Sequence, residues 1–247
     1  MQKSIRLAGQ IASLLLVSAG SIASAATYDL VGDFGDPVFQ YGGGDSALYA
    51  SGAGGASFAP FTTFVMCGIG AALECQHSGS YPYLQRNAGA SDYVDGPNGV
   101  LIPAGGFMLH PGTGSVAGVL RFSALAAGTY ELNGLFTRLQ APDGDGVTVA
   151  IYKVSGGITS QLFSQLLPNG AQLSTIGYSL TSNLLAGEAL DFLITSGGTN
   201  FSDGTMISGT IATAAAVPEP ASWAMMIGGF ALAGAALRQR QARIAYC

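Results

Sequence analysis

Downstream of Ser115 the chain repeats one pattern. A short run of alternating or β-branched apolar residues is followed by a glycine turn, with no stretch of helical period between runs. Residues 119–125 lead into Ala127-Gly128. Residues 129–138 follow, with Tyr130, Leu132 and Phe136 on one side of an extended chain and Glu131, Asn133 and Thr137 on the other; Leu135 breaks the alternation. Asp143-Gly144-Asp145-Gly146 turns the chain into 147–154, and Gly156-Gly157 turns it again. Residues 176–180, 189–195 and 206–213 read as the later strands, with a turn at Ala186-Gly187-Glu188. Strands this closely spaced, without crossover helices, pair antiparallel. The expected fold is all-β, an antiparallel β-sandwich of jelly-roll-like form. Residues 115–213 supply its core strands. Residues 26–114 are glycine-rich, with aromatics among turns such as Asp36-Pro37, Tyr41-Gly42-Gly43-Gly44 and Asp95-Gly96-Pro97. They read as the first part of the sandwich, built from long loops and a few short strands.

Both ends carry a different signal. Lys3 and Arg6 precede an apolar stretch over 7–17, and Ala23-Ser24-Ala25 places small residues where a signal peptidase cuts. Residues 1–25 therefore read as a secretory signal peptide, cleaved after Ala25 or Ala26. At the other end, 214–247 holds Pro218-Glu219-Pro220, an uncharged apolar segment over 221–237, and a tail with Arg238, Arg240 and Arg243. As a helix, seventeen residues rise about 25 Å, the short end of what crosses a bilayer core. Trp223 suits the headgroup layer, and the arginines belong on the cytoplasmic side. The prolines hold Glu219 extended on the outer side, within reach of a processing enzyme.

The order Pro-Glu-Pro, span, basic tail, with Trp223-Ala224-Met225 and Gly229-Phe230 inside it, resembles the PEP-CTERM sorting signal. That resemblance implies handling by the membrane protease/transpeptidase exosortase after signal peptidase has acted. It also implies transient inner-membrane anchoring with the domain in the periplasm, and then delivery to the cell surface or outside.

The exported part is acidic. Between residues 27 and 216 thirteen acidic residues stand against Arg86, Arg121, Arg138 and Lys153, a net charge of −9. No basic stripe exists to meet phosphate, which excludes nucleic acid as a partner. Cys67 and Cys75 lie close together in the exported part, and in an oxidising compartment they read as a local disulfide. Metal binding is the alternative, but only His77 lies nearby and no second Cys/His pair completes a tetrahedral set. Cys247 falls in the tail expected to be removed.

A second resemblance rests on Leu109-His110-Pro111-Gly112, Arg121-Phe122-Ser123-Ala124 with Ala127-Gly128-Thr129-Tyr130, and Ala186-Gly187-Glu188-Ala189-Leu190-Asp191-Phe192. Gly197-Gly198-Thr199-Asn200 and Ser202-Asp203-Gly204-Thr205 complete it. These resemble the strands and closing loop of carbohydrate-binding jelly-roll modules, which implies a sandwich and a polysaccharide partner.

Direct chemistry is sparse. Gly112 to Gly118 has the wrong spacing for a nucleotide loop and leads into a strand. Asp143 and Asp145 lack the further oxygen ligands of a calcium loop and read as a β-turn; Asp191 and Asp203 form a calcium site only if their loops meet. His110, before Pro111, reads as a strand-end side chain with a hydrogen-bonded ring, and no nucleophile–base pair is recognisable. No cofactor and no metal is expected. Tyr41, Tyr81, Tyr83 and Tyr93 lie in loop-like segments near Arg86, Asn87 and Asn98, and exposed tyrosines of this kind stack on sugar rings. The chain thus reads as a non-enzymatic, exported surface or matrix protein associated with extracellular polysaccharide. A secreted polysaccharide-active enzyme on the same scaffold is the alternative.

Overall fold

A computed structural model of the chain describes residues 25–67, 73–96, 99–140, 143–213, 225–235 and 238. The glycine-rich part contains β1 (Thr27–Asp29), β2 (Phe39–Asp45), helix α1 (Ser46–Ser51), a 3₁₀ turn (Gly54–Ser57), β3 (Ala59–Pro60) and β4 (Thr63–Met66). It continues through β5 (Leu73–His77), β6 (Tyr83–Asn87), β7 (Tyr93–Asp95), β8 (Val100–Ile102) and β9 (Phe107–His110). The later strands are β10 (Val116–Ser123), β11 (Gly128–Arg138), β12 (Val147–Ser155) and β13 (Ile158–Leu167). Then come β14 (Thr175–Leu184), β15 (Ala189–Ser196) and β16 (Thr205–Thr213).

The sandwich is antiparallel, as expected. One sheet runs β14-β11-β16-β9-β6-β5-β4, with β1 added beside β16; the other runs β13-β12-β15-β10-β2-β3, and β7-β8 form a separate ribbon. Apart from that ribbon, the described strands of the glycine-rich part join the two sheets. β2 pairs with β10 over seven residues, and β9 joins β16 to β6. Tyr130, Leu132 and Phe136 of β11 point into the main core with Phe122, Phe192, Ile207 and Ile211, while Leu135 is exposed. The alternation read from the sequence is the alternation of burial from Tyr130 to Phe136, but it ends there: Thr137, expected on the open face, is buried, as is Arg138.

Two positions show why glycine is needed. Gly134 and Gly209 face each other across β11 and β16, and a Cβ on Gly134 would overlap Ser208 O and the Tyr178 hydroxyl. Tyr178 uses that space to donate to Ser208 O at 3.0 Å. At Gly44, a Cβ would press on the Tyr49 ring, so its absence lets α1 lie flat against the outer face of the second sheet. There Tyr49 packs with Val119, Tyr152 and Leu193 in a second apolar cluster. The helix is short and well capped: Asp45 accepts from the amides of Ala47 and Leu48, and Gly52 closes it in the left-handed conformation.

Residues 225–235 are helical and exposed, and Arg238 is helical too. Among the described residues no helix is long and apolar enough to cross a membrane. The span expected over 221–237 extends beyond the described residues at both ends. Residues 1–24 of the expected signal peptide, and Pro218, Glu219, Pro220, Trp223, Arg240, Arg243 and Cys247, also lie outside them.

Candidate functional site

The register of the first sheet brings four side chains into one cross-strand row. Thr63 of β4 is paired with His77 of β5, His77 with Tyr83 of β6, and Tyr83 with His110 of β9. Side chains at directly paired positions share a face, so both histidines of the chain lie in this row. It lies on the side of the sheet away from the main core. Leu84 and Leu109 point into the core, and their neighbours Tyr83 and Met108 point out to a cluster of Leu73, Val100, Ile102 and Leu139.

Tyr81, in the loop ahead of β6, leans on this row and is 49% exposed. Its ring lies 5.4 Å from Tyr83 and 5.3 Å from His110, and Tyr83 and His110 stack at 4.9 Å with planes 11° apart. His110 is buried and bonds Pro111 O through Nδ1 at 2.8 Å. A carbonyl only accepts, so Nδ1 carries the proton. Burial also lowers the affinity of this ring for a second proton, outweighing the carbonyl, so the imidazole stays neutral. His110 is thus the hydrogen-bonded strand-end residue expected. Tyr83 holds its phenol proton to well above the ordinary range, first because it is buried and then because Tyr81 is near. His77 Nδ1 accepts from the Gly79 amide at 3.3 Å, leaving Nε2 as its free nitrogen.

Shallow depressions lie on both sides of the Ser78–Pro82 loop. One, about 260 Å³, is lined by Val65, Cys75, His77, Ser80, Tyr83 and Gln85 and has no charged side chain. The other, about 350 Å³, lies among Asp45, Ser57, Phe61, Ser78, Pro82 and Val116. The disulfide expected between Cys67 and Cys75 is present, with Cα atoms 5.7 Å apart, and it floors the first depression.

The four tyrosines do not form one surface. Tyr81 and Tyr83 come together. Tyr93, on β7, is half-buried against the same outer cluster as Tyr83. Tyr41 is a correction: it sits in β2, not in a loop, and is 6% exposed. Its ring is stacked on Phe34 at 4.7 Å and edged by Phe107, so neither face is open to a sugar. The glycines after Tyr41 suggested a turn, but they continue the strand. The planar polar groups expected beside the tyrosines also have other tasks. Arg86 pairs with Glu74 at 3.2 Å and lies over the Phe34 ring, while Asn87 is buried and bonds Ser91 O and Ile102 O. Asn98 lies outside the described residues. His77 and Gln85 line the site instead. Only the pairing register identifies them, and single-sequence periodicity does not carry register.

The acidic residues resolve differently. Asp145 accepts from the amides of Gly198 and Thr199, which hold its carboxyl low and tie the turn to the closing loop. Asp191 is fully buried on β15 and takes both Arg121 Nε at 2.7 Å and Arg121 Nη2 at 2.6 Å, with Tyr49 donating to it as well. Asp203 lies on the other sheet, ahead of β16, so the two do not converge on a calcium ion. Asp203 is 1% exposed, and among the described residues its carboxylate has no hydrogen bond; burial and the charge of Asp145, against Arg138, push it up to about 7. Among the described residues no group of three or more metal-ligating side chains comes together.

Comparison with known proteins gives distant structural likenesses. The carbohydrate-binding module of family 51 from a Clostridium perfringens family 95 glycoside hydrolase, in complex with methyl-galactose, is 13% identical; 54% of this chain and 90% of that one are covered, with a TM-score of 0.34. A family 35 carbohydrate-binding module from Clostridium thermocellum is 13% identical over 78% of this chain and 100% of that one, TM-score 0.30. The enzymatically active domain of bacteriophage CBA120 tailspike protein 4 is 14% identical; 44% of this chain but only 15% of that one is covered, TM-score 0.27. No curated protein matches the sequence. Residues 216–241 match the PEP-CTERM protein-sorting motif, so the chain carries, after its β-sandwich, the signal of an exported protein sorted by exosortase.

Proposed function

We propose that the β-sandwich is a non-catalytic module that holds extracellular polysaccharide at the cell surface or in the matrix, where the sorting signal delivers it. The observation that carries this reading is Tyr81. Its half-exposed ring rests against Tyr83 and His110, and Tyr83 in turn lines the uncharged depression next to it. An exposed aromatic ring beside a depression lined by His77, Ser80 and Gln85 suits a pyranose ring, whose faces are apolar and whose rim is hydroxyl. The lack of charge at the depression and the −9 of the domain favour a neutral glycan over a uronate polymer. One such contact is weak. Retention comes from many copies on one polymer.

Affinity electrophoresis tests the reading. The protein is run through gels containing the producing cell's own exopolysaccharide, a neutral glucan or mannan, or an acidic polymer such as alginate. Retardation by a neutral polymer, lost in Tyr81→Ala, is the expected result. No retardation in any gel, or retardation that Tyr81→Ala leaves unchanged, overturns it. Reducing ends released over time support instead the secreted polysaccharide-active enzyme.

A further inference from the structure

The strands that end the two sheets do not present equal edges. β3 is two residues long and ends in proline. β13 and β14 are rich in Ser, Thr, Gln and Asn. β4 is different. Phe64, Val65 and Met66 are 58%, 42% and 55% exposed, so apolar side chains stand on both faces of one strand. No charged residue occurs between Asp45 and Glu74 in the sequence. Proteins ordinarily guard such an edge with charge, proline or a bulge.

The backbone of that edge is open. Cys67 N–H bonds Leu73 O at 2.9 Å, so in the alternating antiparallel ladder Cys67, Val65 and Thr63 face β5. Phe64 and Met66 therefore point their N–H and C=O groups away from the sheet, and among the described residues no strand pairs with them. The disulfide between Cys67 and Cys75 fastens β4 to β5 and keeps this edge in strand form.

We propose that β4 pairs antiparallel with β4 of a second copy of this chain, joining two first sheets into one. The strand is complementary to itself. With Val65 opposite Val65 on the two-fold axis, Phe64 of each copy meets Met66 of the other, and these two pairs exchange all four outward N–H···O bonds. An aromatic ring then lies against a thioether on one face at both ends, and valine against valine on the other. Charge selects the same edge. Two domains of net charge −9 repel, and the uncharged run from 46 to 73 is where they approach at least cost. A ribbon this short buries less than the ~1,200 Å² of a stable interface, so the contact is weak and depends on crowding of copies at a surface.

Amide exchange and sedimentation of the full-length chain in detergent test the proposal over a range of protein concentration. The amides of Phe64 and Met66 should exchange freely in dilute protein and become protected as concentration rises. The Val65 amide, already bonded to β5, should not change. The dimer fraction should grow with added salt, which screens the acidic repulsion. Phe64→Lys should abolish both effects, and Leu166→Lys on the β13 edge should leave them intact. Exchange at Phe64 and Met66 that does not depend on concentration overturns the proposal, and it needs no variant to read. Association that survives Phe64→Lys overturns it as well, by placing the contact elsewhere.

Discussion

Arg121 and Asp191 face each other across β10 and β15, with Asp191 fully buried and the guanidinium lying 4.0 Å over the Phe58 ring. Tyr49 donates to the same carboxylate, and its own phenol is held protonated, by burial first and the carboxylate next. Removing one partner of such a pair strands the other charge. Asp191→Asn should therefore cost about 3–5 kcal/mol in urea unfolding followed by circular dichroism. The apolar triple variant Arg121→Met/Asp191→Leu/Tyr49→Phe should recover most of that loss, since it leaves no buried charge behind. Two other carboxyls set opposite pH slopes. Glu188, beside Lys153 at 2.8 Å, is held down to about 2, so its contribution is present above the ordinary carboxylate range and is lost as pH falls toward 2. Asp203 is raised to about 7, so its contribution is full below its unfolded value near ~4 and is lost as pH climbs to about 7. Asp203→Asn should flatten the second slope and make the protein more stable than wild type above pH 7, as melting curves from pH 4 to 8 would show. Unchanged curves would mean that Asp203 is solvated in solution.

The disulfide acts on one element pair. It links residues eight apart, and closing so small a loop should be worth roughly 2–3 kcal/mol by chain entropy. Reduction, or Cys67→Ser/Cys75→Ser, should lower stability by that amount and speed amide exchange in β4 and β5 before β11 or β16. Uniform loss across both sheets would contradict a local role. At this scale the sequence was legible wherever one face is buried. β11 announces itself through Tyr130, Leu132 and Phe136, and β15 through an apolar run buried on both faces by the main core and by α1. β13 was not legible: it is an outer strand with Ser160, Gln161, Ser164 and Gln165 exposed, so it carries no alternation to read. α1 was hidden for a similar reason. Six residues show less than two turns of period, and its only buried side chain is Tyr49. Of the site, the tyrosine pair at 81 and 83 was visible as exposed-looking aromatics. Tyr41 was misplaced because glycine in a strand that packs closely looks the same as glycine in a turn. The two histidines became neighbours only through register, which long-range pairing sets.

For the whole molecule, the sorting signal and the sandwich set the expectations together. Mass spectrometry of the mature protein should find a C-terminus at or beside Pro218-Glu219-Pro220, and Arg238→Ala/Arg240→Ala/Arg243→Ala should accumulate as unprocessed chain. Full-length mature protein in a cell with exosortase would refute the first expectation, and normal trimming of the variant the second. β16 gives the domain a direction. Its first residue, Thr205, pairs with Leu109 beside His110, and its last, Thr213, is held to Ala26 through N–H···O at 2.8 Å. The aromatic surface thus adjoins the start of this strand, and the chain leaves toward 214 from its other end. Between the two, β16 is laced to β11 over nine residue pairs. If polymer is held at Tyr81 as proposed, and the processed C-terminal end is fixed at the surface, tension between them runs lengthwise along β16. Its rungs are then strained in shear, all at once, rather than peeled open singly. A sandwich loaded in that way should resist a pull better than one whose rungs open singly.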